Sequence, residues 1–553
     1  MNESAARVPF LKFRLSLMMF LQYAIWGAWL PFLWSFLAGH RGMEAAEIGN
    51  IFAFGAVGAI VGPLIFGPLA DRFVSTEKLL AASHLIGAVL VWRMAEVAPD
   101  QFWLYALLYG LFYMPTLSLT NSLAFAHLPD RDRDFGKVRL WGTLGWIAVG
   151  LAMGHWLASQ YTPAGASAAD VLLAQAEGKG DAFRLSGILG LAMAVFCLFL
   201  PKTPPAGSAE KNPALAALGA VKAQPLLTLF LLAVPVSIIH QFYFVHTEAF
   251  LGTRQVAAPE WSKAIFGAGG GGVMTVGQMS ETLVLGLIPL LIARGLSKKT
   301  LLGMGLAAYA LRMALFAYVD AIPLPPALTL ILGVALHGFC FGCFIFVSFM
   351  VVDEYTNHEV RASAQNLYNL VIVGIGVIVG SIIAGKISTW ATTDGVLDYT
   401  RLFSVPMYAA LMWPLVCPDG APPRLKGLVD SAGTVLRPAG ALLDQAVAVI
   451  EEPRVAPELV DQEARDHRGI LGVDHRLRTD HLRDHAAPVD VAGKDHRHVR
   501  RPREAHVGDV AAAQEGRRQQ RAQDKEIDEH LRHVRLQYLV PCASCLVLCA
   551  SCL

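Results

Sequence analysis

Charge is scarce in this chain. Asp, Glu, Lys and Arg make up 16% of its 553 residues, against about 25% in an average soluble domain. Hydrophobic residues reach 54% and the mean hydropathy is +0.47. Soluble cores cannot bury that much apolar side chain. An ordinary globular protein is therefore excluded, and a polytopic membrane protein is the natural reading. An excess of one charge sign is also missing: the net charge is +1, so no global field attracts nucleic acid. Eight cysteines in this length make no disulfide scaffold. No Ser-His-Asp order and no metal-ligand spacing stands out in the apolar segments, so no enzyme, cofactor or metal is expected. Gly267-Ala-Gly269-Gly270-Gly271-Gly272 lacks the Gly-Lys-Ser/Thr of a phosphate loop and precedes an apolar stretch. It is expected to allow bending there.

The averages hide two unlike parts. Residues 1–417 carry 48 charged residues and residues 418–553 carry 41, so the second part is far denser in charge. It reads Arg465-Asp-His-Arg, Val473-Asp-His-Arg, Thr479-Asp-His-Leu and Lys494-Asp-His-Arg, without sustained apolar periodicity. Disorder is the default expectation for it. It ends in two CxxC units, Cys542–Cys545 and Cys549–Cys552, spaced too closely for the usual zinc ribbon.

Stretches of about 20 apolar residues mark spanning helices. They read Leu15–Ala38, Ile48–Ala70, Leu79–Ala98, Gln101–Leu128, Arg139–Ala158 and Arg184–Leu200. After a polar linker come Pro225–Leu251, Gly269–Ala293, Thr300–Val319, Pro325–Val352, Ala362–Ser388 and Leu402–Cys417. The expected organisation is a six-helix bundle over 1–200, a cytoplasmic linker over 201–224, a second six-helix bundle over 225–417 and a polar tail over 418–553. The first apolar run is too long for a cleaved signal and reads as helix 1. Sixteen Lys and Arg fall in one set of connections against seven in the other, which places the N-terminus in the cytoplasm. The last span is short. A helix that stops before Pro418-Asp419-Gly420 and an Arg/His/Asp-rich run suggests a shifted reading frame.

Polar groups at membrane depth cost several kcal/mol unless they face a partner or a wet cavity, so they point to function. Arg139, Thr143 and Trp146 share a face of helix 5, although Arg139 also sits where an arginine would snorkel to the interface. Helix 7 carries Gln241, Phe244 and Glu248; Glu248, near its end, is expected to be solvated. Gln278 and Glu281 share a face of helix 8. His337 and Phe341 lie one turn apart on helix 10. Gln22, Trp26 and Trp29 share a face of helix 1, and Asn121 and Arg312 complete the set. Aromatic plates with amides, a hydroxyl, one Arg and a deep Glu suit a flat, polyhydroxylated, mostly neutral solute. A protonatable Glu or His permits proton coupling.

Gly67-Pro-Leu-Ala-Asp71-Arg72-Phe73 after helix 2 resembles the loop 2–3 signature of the major facilitator superfamily. Gly67 would permit close helix approach, Asp71 would pair across the bundle interface, and Arg72 would stay in the cytosol. Further stretches resemble the nucleoside:proton symporter family of that superfamily: Phe20-Leu-Gln22-Tyr-Ala-Ile-Trp26-Gly27, Tyr113-Met-Pro115, Arg139-Leu-Trp141-Gly142-Thr143, Gln278-Met-Ser-Glu281, Leu311-Arg312 and Val360-Arg361-Ala-Ser-Ala-Gln365. The resemblance implies an all-α, twelve-helix major facilitator fold and nucleoside import driven by protons. It implies that Arg139, Thr143, Gln241, Gln278 and Glu281 contact the nucleoside, with Trp146 and Phe341 stacking on the base. The helix-10 pattern departs from the family. Its Tyr position is His337, its Asp position, implicated in proton coupling, is Gly342, and a helix-7 Asn position is Phe244. Glu281 or His337 is then expected to carry the proton, unless the protein is a uniporter. The implied setting is a monomer in the bacterial inner membrane, among lipids, with nucleoside and protons as partners. A sugar or oligosaccharide symporter and a non-transporting membrane sensor are the rival readings.

Overall fold

With no water in the bilayer core, a spanning segment must satisfy its own backbone, and a helix does so within one segment. The computed structural model describes residues 10–205, 221–357 and 360–416. The polar tail, its Asp-His pairs and the CxxC units lie outside the described residues, as does most of the linker. Each of the twelve apolar stretches is a helix. They are α1 (Leu11–His40), α2 (Ala45–Arg72), α3 (Thr76–Met94), α4 (Phe102–His127), α5 (Arg131–Gln160), α6 (Gly180–Cys197), α7 (Leu226–Gln255), α8 (Gly271–Ala293), α9 (Lys298–Ala317), α10 (Pro326–Glu354), α11 (Ser363–Ala391) and α12 (Tyr399–Val416). A short helix, Ala168–Gly178, leads into α6 through Lys179.

Among the described residues, nine stretches are long and apolar enough to cross a membrane. The helices outside that set are α3, α5 and α12. Each has a reason in its sequence: Glu77, Lys78 and Arg93 in α3, the charged opening Arg131-Asp-Arg-Asp of α5, and Thr400, Arg401, Pro406 and Pro414 in α12. The all-α expectation needs one small addition. Thr392–Thr393 pairs antiparallel with Val396–Leu397 between α11 and α12. Its turn residues, Asp394 and Gly395, both have positive φ, the geometry of a two-residue Asp-Gly hairpin.

Within the first half of the chain, α1 packs on α5 and α6, α3 on α4 and α6, and α2 on α4. Within the second half, α7 packs on α11, α9 on α10 and α12, and α8 on α10. Two seams join the halves at corresponding positions, α2 against α11 and α5 against α8, and the later part of α1 also meets α7. Small residues let membrane helices approach closely. A Cβ on Gly58 would sit 1.9 Å from the Gly110 carbonyl oxygen, and one on Gly49 would sit 2.6 Å from that of Ser381.

Gly67 does not serve this purpose: a Cβ there would meet nothing within 4 Å. The close approaches on α2 fall earlier, at Gly49, Gly58 and Gly62. The glycine run ahead of α8 also differs from the bend expected. Gly267 and Gly269 hold positive φ, and added Cβ atoms on Gly270 and Gly271 would strike Glu248 and Phe32. Its glycines serve tight packing between segments.

Candidate functional site

The face of α5 read from the sequence reaches the second half of the chain. Gly27 leaves room for the Trp146 indole, which meets Trp26 edge-on at 5.6 Å between ring centroids. On its other side Trp146 meets Phe244 of α7, 6.3 Å away and steeply inclined. Arg139 lies over the Tyr23 ring at 3.8 Å, a cation–π contact that fixes the guanidinium without consuming its charge. Its helix packs against α8, the helix that carries Glu281. Thr143, half-buried, lies one turn from Arg139.

In the second half, Phe244 meets the His337 ring edge-on at 5.9 Å, and Phe341 stacks on His337 at 6.4 Å. A chain of rings therefore runs from Trp26 through Trp146, Phe244 and His337 to Phe341, crossing from one half to the other. Beside it, Glu281 places Oε2 3.7 Å from Nε2 of His337 and leaves 16% of its side chain exposed. Gln278, one turn earlier on α8, is buried and its Oε1 has no protein partner among the described residues. Gln241 is buried too, but its Nε2 donates to Ser381 of α11 at 3.0 Å. The local backbone is unusual at this point: residues Cys340–Phe346 of α10 wind as a π-helix, a feature that recurs at functional sites.

Other predicted residues stand apart. Asp71 and Arg72 are exposed at the end of α2, and Asp71 makes no ion pair among the described residues. Gly342 faces α8, where a Cβ would sit 2.8 Å from Val284 Cγ1. A surface depression of about 590 Å³ lies further along α5, lined by Ala152, His155, Trp156, Ala158 and Ser159, beyond the stretch that carries Arg139 and Trp146.

Glu248 is not solvated. It is fully buried and gathers partners from both halves. Ser35 of α1 donates to its Oε2, Lys179 reaches it at 3.1 Å, and the Gly270 amide donates to Oε1 at 3.0 Å. Nearby, Trp34 of α1 meets His246 of α7 at 4.3 Å. On the same face, a Cβ on Gly154 would strike the Phe266 carbonyl oxygen at 2.2 Å, and Gly49 meets Gly385. At the other end of the same helices the glycines are free. Cβ atoms on Gly67, Gly136 and Gly286 would meet nothing within 4 Å. The halves are thus drawn together at the face bearing Lys179 and Glu248.

Sequence reasoning passed over Lys179, because a lysine in a connection reads as solvated. It also passed over His84, which is buried in α3 and shares Gln22 with Thr116: Gln22 Nε2 donates to Thr116 Oγ1 at 2.7 Å and Oε1 faces His84 Nε2 at 3.0 Å. A lone histidine inside an apolar helix was the available signal.

Two helical halves joined along matched seams, with aromatic and ionisable side chains meeting between them, define a secondary transporter of the major facilitator type. The comparisons with known proteins narrow this. The chain belongs to the nucleoside H+ symporter family, whose sequence pattern matches residues 10–417. It is 34% identical over 377 residues to YegT of Escherichia coli strain K12, covering 67% of this chain and 83% of that protein. It is 27% identical over 405 residues to the nucleoside permease NupG of the same strain, covering 71% and 92%. The solved structure of the nucleoside transporter NupG superposes with a TM-score of 0.64 at 25% identity, covering 74% of this chain and 98% of that one.

Proposed function

We propose that the chain imports nucleosides together with protons across the inner membrane by alternating access, with α1–α6 and α7–α12 as the two moving bundles. The observation that carries this reading is the ring contact between halves: Trp146 against Phe244, and Phe244 against His337, whose Nε2 lies 3.7 Å from Glu281. A substrate held there would feel any rocking of one half against the other. Arg139, Thr143, Gln241, Gln278 and Glu281 supply donors and acceptors for ribose hydroxyls and base edges. Trp146 and Phe341 offer stacking faces, and stacking on a base contributes about 1–3 kcal/mol. Glu281, with His337 beside it, carries the coupling proton in place of the carboxylate that position 342 lacks.

Lys and Arg in the connections support a cytoplasmic N-terminus. The face closed by Lys179 and Glu248 is then the outer one, and this conformation opens to the cytoplasm. The Lys179–Glu248–Ser35 network is the outer latch. A monomer suffices, since both bundles belong to one chain.

The test is uptake of radiolabelled nucleosides by cells expressing the chain, with disaccharides as competitors and a protonophore as control. Accumulation that uridine or adenosine blocks and a protonophore abolishes supports the reading. Competition by disaccharides alone overturns it.

A further inference from the structure

Arg312 is the fully buried arginine of α9, and among the described residues it makes no ion pair with a carboxylate. A buried guanidinium without a counter-ion is expensive. What it does have is specific. Its Nη1 lies 3.1 Å from Nδ1 of His337, and it sits over the rings of Tyr243 at 4.3 Å and Tyr309 at 5.1 Å.

Arginine carries donors only. Nδ1 of His337 must therefore accept, and the ring's one remaining proton is on Nε2. That nitrogen is the one facing Glu281 Oε2 at 3.7 Å. The ring is held in this orientation by Tyr243, stacked at 4.8 Å, and His240, stacked at 5.4 Å. His240 is itself occupied by the Tyr309 hydroxyl at 2.7 Å. A neutral imidazole thus lies between a fixed cation, which its Nδ1 contacts at 3.1 Å, and a carboxylate 3.7 Å from its Nε2. With its Nδ1 lone pair taken, His337 cannot be the group that gains the proton.

We propose that Arg312 is a positioning residue for proton coupling: acting through His337, it supplies the distant positive charge that keeps Glu281 ionised until the coupling proton binds. The inference rests on the reading of the chain as a proton-coupled nucleoside importer. The step is a simple one. A proton from the outer solution adds to the Glu281 carboxylate, His337 stays neutral throughout, and the same proton leaves to the cytoplasm when the carboxylate ionises again. The charged and titratable groups facing Glu281 are Arg139 from α5, Tyr243 from α7, His337 from α10 and, behind His337, Arg312 from α9 with Cys340 beside it. Arg312 therefore lies one imidazole ring away from the Glu281 carboxylate.

The test is nucleoside uptake against external pH in proteoliposomes, alongside nucleoside exchange at equal pH on both sides. Removing a cation raises a carboxylate's proton affinity, so Arg312→Met should move the half-maximal pH of uptake upward by about one unit. Exchange needs no net proton movement and should fall by less than uptake measured at the wild-type pH optimum. Arg312→Lys keeps the charge and should keep the wild-type midpoint. His337→Phe keeps a ring but loses the bridge, and should shift in the same direction as Arg312→Met, with the double variant shifting no further. An Arg312→Met protein whose midpoint is unchanged overturns the proposal, whatever its rate. So does a double variant whose shift is the sum of the two single shifts. Should Arg312→Met not assemble, His337→Phe decides alone, and a wild-type midpoint there overturns the proposal. Absence of any proton-linked uptake in the wild type refutes the underlying function instead and is distinguishable at once.

Discussion

Replacing Glu248 by Gln would leave Lys179 as a buried cation beside a neutral amide. Lys179 and Glu248 are 7% and 0% exposed at their side chains, so water cannot replace the lost partner. Breaking a buried ion pair by removing one member costs about 3–5 kcal/mol. The cost falls on the conformation in which the pair is buried. Opening that face releases Lys179 to solvent and removes it. A differential of about 3 kcal/mol corresponds to a population change of roughly a hundredfold. Thr275, buried on α8 against Gly150, reports the state of this face. With Thr275→Cys as the sole reactive thiol, labelling of intact cells by a membrane-impermeant maleimide should accelerate by at least tenfold in Glu248→Gln and in Lys179→Met. The Lys179→Met/Glu248→Leu double variant removes both charges and fills the space, and should return labelling toward the wild type. Unchanged labelling in both single variants refutes the latch. A double variant as open as the single ones refutes the electrostatic account of it.

Other outcomes follow from the same geometry. Trp146→Ala should raise the KM for nucleoside about tenfold, the worth of one stacking face, while Trp146→Phe should recover most of the loss; transport kinetics at fixed pH decide. Gly49→Leu should lower the amount of folded protein, because its Cβ would meet Ser381 and Gly385 backbone atoms within 3 Å; fluorescence-detected size exclusion in detergent measures this. Gly342→Asp should reduce thermal stability without raising proton-coupled uptake, since that side chain would be driven against Val284 and Ile288. Resequencing the gene across codon 415 tests the proposal that residues 418–553 are read out of frame, and an uninterrupted frame excludes it.

Much of the fold was legible because the bilayer imposes a length and a composition on every span. The helix positions of α1 to α12 followed from apolar run length, whereas the hairpin at Asp394-Gly395 went unread although an Asp-Gly pair is its usual signal. The three least apolar helices show why a crossing count is harder to read: charges at the start of α5 and through α3 are tolerated where neighbours or interfaces accept them. The candidate site was legible as residue types on helical faces, since Arg139, Thr143 and Trp146 share one by spacing. Which groups meet across the halves was not. The Trp146–Phe244 contact depends on Gly27 making room from a third helix, and no local pattern encodes that. Glu248 was misread for a related reason. Its position near a helix end suggests solvent, but its partners come from α1, the approach to α6 and the loop before α8, all remote in sequence.

The central claim is that nucleoside and proton move together between the two halves, with Glu281 as the group that takes the proton. Its most direct test is the pH of the medium around energised cells when nucleoside is added. The account predicts a nucleoside-dependent alkalinisation that Glu281→Gln abolishes. Nucleoside uptake at full rate with no change of pH, or alkalinisation that survives in Glu281→Gln, would contradict it.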